Sequence, residues 1–77
     1  MIFLIEYDRG TGHLVSFRRF SDEQQTEANE TRLSLEIELS RRNVHHEVVL
    51  LEAESEAAVR KTHRRYFENL SELSSTP

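Results

Sequence analysis

The stretch Leu33-Ser34-Leu35-Glu36-Ile37-Glu38-Leu39 decides the fold of this chain. Its apolar residues alternate strictly with polar ones, the pattern of a half-buried strand. As a strand it would carry all four apolar side chains on one face. As a helix, at about 100° per residue, it groups Leu35 and Leu39 with Ala28 and leaves Leu33 and Ile37 nearly opposite. Three observations favour the helix. Leucine, glutamate and arginine are strong helix formers, and only Ile37 in the stretch is β-branched. A helix ending at Thr31 would have little more than Ala28 to bury and would not hold. Arg41 and Arg42 suit the negative C-terminal end, and Asn43 suits a left-handed cap after it. The expectation is one long helix from Asp22 to about Arg42. A short helix followed by a strand over 32–40 is the alternative.

Working toward the N-terminus, Ser21 reads as the helix N-cap. Gln24 stands three residues later as a capping-box partner, and Asp22 and Glu23 favour the positive end of the dipole. Ile2 to Asp8 and His13 to Phe20 read as strands joined by the turn Arg9-Gly10-Thr11-Gly12, which makes a hairpin. Glu6 and Asp8 are expected to pair across it with Arg18 and Arg19.

Toward the C-terminus, Glu47 to Glu52 reads as a third strand. Its unbroken run Val48-Val49-Leu50-Leu51 calls for cover on both faces. Ser55 is a second N-cap. It opens a helix from about Glu56 to Leu70 whose buried stripe is Val59, His63, Tyr66 and Leu70, with Leu73 as a possible extension. The order is β-β-α-β-α: an α+β domain with a three-stranded antiparallel sheet in order 2-1-3, one long helix and one shorter. Residues 1–73 form this single domain, and 74–77 are expected to be a disordered tail.

At 77 residues without cysteine, the chain has neither disulfides nor thiolate metal ligands to reinforce a small core. The N-terminal segment lacks a basic n-region and a long apolar stretch, and no run is long enough to cross a membrane, so a cytoplasmic setting is expected. Net charge is −4, which argues against wholesale nucleic-acid binding.

The most informative feature is a surplus of apolar faces. The first and third strands are apolar on both sides, and the long helix has a second strip in Leu33 and Ile37. Either the two helices cover opposite faces of the sheet, or two copies pack together. The absence of other reinforcement favours a homodimer, with Leu33 and Ile37 as candidate contacts.

Other candidates are weaker. Arg60, Lys61, Arg64 and Arg65 form a basic segment that would suit phosphate, RNA or an acidic partner, or would simply be a solvated face. Arginine outnumbers lysine nine to one, which fits bidentate anion recognition and equally an arginine-rich codon bias. Adjacent His45 and His46 would point to opposite faces of an extended segment, so no metal site is expected. His63 reads as a histidine at the edge of the core. Gly10-Thr11-Gly12 opens into a strand and so is hairpin geometry, not a phosphate cradle. No nucleophile has a partnered base at a recognisable spacing, and so small a domain is expected to lack a cleft of about 300 Å³ unless a dimer builds one. The function read from sequence is a non-enzymatic, homodimeric protein-interaction module without cofactor. A small nucleic-acid-binding or regulatory protein using the basic segment is the alternative.

Overall fold

The computed structural model describes residues 1–68. Strands β1 (Ile2–Asp8) and β2 (His13–Phe20) form the hairpin. A 3-10 turn over Asp22–Gln24 leads into α1 (Gln25–Arg41), followed by β3 (Glu47–Glu52) and α2 (Glu56–Thr62). A second 3-10 turn, Arg64–Tyr66, closes the described chain. The sheet order is β2-β1-β3 and both pairings are antiparallel.

The ambiguous stretch is helical. Ala28 and Leu39 are buried and Leu35 is half-buried, whereas Leu33 and Ile37 face outward, as helical spacing requires. At its start, Gln24 Oε1 accepts from the Ser21 N–H at 2.8 Å, while the Gln24 N–H donates to the Ser21 carbonyl at 3.0 Å. At its end, Asn43 adopts φ 57°. The Val44 N–H reaches the Leu39 carbonyl at 2.9 Å and the Asn43 N–H reaches Ser40 at 3.1 Å, which together make a Schellman cap.

The two helices lie on opposite faces of the sheet. Ile2, Leu4, Phe20, Val48 and Leu50 pack with Ala28 of α1. On the other face Ile5, Tyr7, Leu14, Phe17, Val49 and Leu51 pack with Tyr66 and Phe67. Phe3 stacks on Phe17, Phe17 meets Phe67 edge-on, and Tyr7 meets Tyr66 the same way. The sheet therefore needs no second copy to cover its faces. This is the first of the two arrangements that the sequence allowed.

The second helix is shorter than the spacing predicts. It stops at Thr62, because His63 leaves helical geometry at φ −125°, ψ 51°. After the break, Tyr66 and Phe67 meet Tyr7 and Phe17 edge-on, which adds aromatic packing to that face. Val59 and Tyr66 are buried and His63 is half-buried. Leu70, Leu73 and the expected tail at 74–77 lie outside the described residues.

Candidate functional site

The four basic residues do not form one helical face, because the break at His63 separates them. Arg60 pairs with Glu56 at 3.1 Å and lies 4.6 Å over the Phe67 ring. Arg64 pairs with Glu68 at 2.9 Å. Arg65 turns toward the sheet, where it donates to Glu47 at 2.7 Å and stacks 4.2 Å from the Tyr66 ring centre. Lys61 has no ion pair among the described residues. Arg60, Lys61 and Arg64 still border one shallow groove with Phe67, and Arg65 is not part of it.

Glu47 collects the densest set of contacts. Its carboxylate accepts from the Tyr66 hydroxyl and the Arg65 guanidinium, and Arg9 approaches to 3.8 Å. The Tyr66 hydrogen bond and the Arg65 charge hold the Glu47 carboxyl below the usual range despite partial burial. Burial and the same carboxylate push the Tyr66 phenol up, so it stays a donor.

The hairpin ion pairs read from sequence do not form. The register puts Arg18 opposite Leu4 and Arg19 opposite Phe3, so Glu6 faces Ser16 instead. A bulge at Val15 shifts the ladder between Glu6 and Tyr7. Arg18 rests over the Phe20 ring. Glu6, buried at 7% exposure on the central strand, takes His46 as its partner: Nδ1 lies 2.6 Å from Glu6 Oε2, and Nε2 lies 3.7 Å from Asp8 Oδ2. Sequence reasoning missed this pair. The signal was there, since His46 is in phase with Val48 and Leu50 and so belongs on the same face as Glu6. Among the described residues, no group of three or more histidines and carboxylates is arranged to hold a metal ion.

Two open clefts run along the seam between α1 and β3. One, of about 490 Å³, is bordered by Leu39, Val44, His46 and Val48; the other, of about 500 Å³, by Asn29, Arg32 and Leu50. Glu36 and Val48 border both, so the two are neighbours along the seam. The expectation that one copy lacks room for such a cleft is corrected: the long helix packs against β3, and among the described residues no further strand pairs with that edge. No catalytic arrangement is assigned in the seam.

On the outer side of α1, Leu33 and Ile37 are 52% and 51% exposed. They sit four residues apart, so they share one strip. No helix of the described chain is long and apolar enough to cross a membrane. No protein family, curated protein or solved structure matches this chain.

Proposed function

We propose that this chain is a non-enzymatic protein-interaction module that works as a homodimer, in a cytoplasmic setting in keeping with its lack of cysteine. One observation carries the reading: of the three large apolar side chains that are about half exposed among the described residues, Leu33 and Ile37 share one strip of α1, and the third, Val15, lies at the bulge of β2. Leu33 and Ile37 stand half-exposed on α1, and Val48 to Leu51 are only half-buried on the neighbouring edge strand β3. Small domains without disulfide or metal commonly gain stability by covering such surface with a second copy.

The alternative, a small nucleic-acid-binding or regulatory protein using Arg60, Lys61, Arg64 and Arg65, has less support. Three of these four cations already hold carboxylate partners. The two readings respond oppositely to salt, because phosphate binding falls steeply with added salt and apolar association does not.

Sedimentation velocity across low to high micromolar protein tests the reading. The expected result is a dimer that persists in high salt and is weakened by Leu33→Glu with Ile37→Glu, with the fold kept by circular dichroism. A monomer throughout the range would overturn it. Salt-sensitive binding of an oligonucleotide, lost in Arg60→Glu with Arg64→Glu, would favour the alternative.

A further inference from the structure

We infer that the second copy joins through the free edge of β3, so that two three-stranded sheets become one six-stranded sheet. This rests on the homodimer reading above and adds where the copies meet.

The sheet has two edges, and they differ in kind. Edge strands invite pairing unless charges, prolines or bulges blunt them. β2 is blunted by the bulge at Val15 and by exposed Arg18 and Arg19. β3 pairs with β1 without a bulge over Glu47 to Glu52, and it holds neither proline nor lysine. Its four central residues are apolar and half-buried, and the clefts described above open along it.

The backbone groups of that edge can be assigned. The Ala53 N–H donates to the Met1 carbonyl at 3.1 Å, so Ala53 turns its polar groups toward β1. In an antiparallel ladder such residues recur every second position. Leu51, Val49 and Glu47 therefore also face β1, and Val48, Leu50 and Glu52 direct their N–H and C=O groups outward. Those groups can accept an antiparallel strand.

The edge is self-complementary. A two-fold axis normal to the sheet keeps each face with its own kind, so residues paired across the axis must share a face. Any residue set on the axis satisfies this, and the two choices that keep β3 (Glu47–Glu52) most fully paired put Val49 or Leu50 opposite itself. With Val49 on the axis, Val48 meets Leu50 of the second copy in hydrogen-bonding positions. The same register sets Glu52 of each copy opposite His46 of the other, on the face that α1 covers. With Leu50 on the axis, Glu52 would instead oppose Val48. The Val49 register gives Glu52 a polar neighbour where the Leu50 register gives it apolar Val48, and so is the one selected. It also brings the two α1 helices antiparallel across the seam. Leu33 stands at the rim, because Asn29 and Glu36 border the clefts and lie within one helical turn of it.

Because the native chain has no cysteine, single cysteines report the contact cleanly. In the proposed register the two Val49 residues form a non-hydrogen-bonded antiparallel pair. Their Cα atoms would lie about 4.5 Å apart, within disulfide reach. Mild oxidation of Val49→Cys should convert most of the chain to a covalent dimer, and Leu50→Cys should give little. Separately, amide exchange of the wild-type protein should slow at Val48, Leu50 and Glu52 as concentration rises. A sedimenting dimer with neither cross-link nor slowed exchange would overturn the β3 contact and leave the homodimer reading standing. Cross-linking through Leu50→Cys alone would overturn the register. A strictly monomeric protein would overturn both.

Discussion

At Glu47 a tyrosine hydroxyl, a guanidinium and a second arginine converge on one carboxylate. The shift of that carboxyl is downward, so the unfolded chain binds a proton there more readily than the folded one. The contribution of Glu47 is then present near neutral pH and is lost as pH falls through its lowered folded-state value. Glu47→Gln should cost about 1–2 kcal/mol near neutral pH, held down by solvent screening of the exposed Arg65. In acid the gap to wild type should shrink. Urea denaturation midpoints of both proteins from pH 7 downward measure this. A gap that stays constant into acid would mean that the carboxylate charge is not what matters.

At the scale of the elements, the end of α1 is set by one backbone conformation. Asn43 sits at φ 57°, where glycine and asparagine are tolerated and β-branched residues are not. Asn43→Gly should leave stability within a few tenths of a kcal/mol of wild type, or raise it slightly, whereas Asn43→Val should cost about 1–2 kcal/mol. Thermal unfolding of the two variants side by side would show the difference. Equal losses from both would mean that the asparagine side chain, not its backbone angle, is what the cap needs. The second helix obeys a different rule. Its spacing continued past Thr62, but the helix breaks there and the rings of Tyr66 and Phe67 meet Tyr7 and Phe17. Packing overrode the local pattern there.

For the molecule as a whole, a domain of this length is stabilised by about 4–12 kcal/mol in total. Phe3 is fully buried and stacked on Phe17, between the central strand and the C-terminal segment. Phe3→Ala should cost about 3–5 kcal/mol, a large share of that total, and leave the chain partly unfolded at moderate temperature. Circular dichroism melts would report it. A melting temperature near wild type would mean that the core closes over the vacated space. If two copies associate, the wild-type melting temperature should also rise with protein concentration, since only the folded chain dimerises.

The sequence by itself determined the three strands, the hairpin, the long helix, its caps and the 2-1-3 order. Those features follow from local periodicity, from turn and cap residues, and from the shortness of the connections. Tertiary structure decided the rest. It placed the helices on opposite faces, gave Glu6 to His46 and not to the arginines of β2, and split Arg65 away from Arg60 and Arg64. It also left β3 as the unblunted edge beside Leu33. Each of these joins groups far apart along the chain, Glu6 and His46 by 40 positions. Alternation along a strand puts Glu6 and His46 on one face, but it leaves open the meeting itself. It is fixed only when a one-residue bulge at Val15 and the register of β1 against β3 choose which side chains face each other.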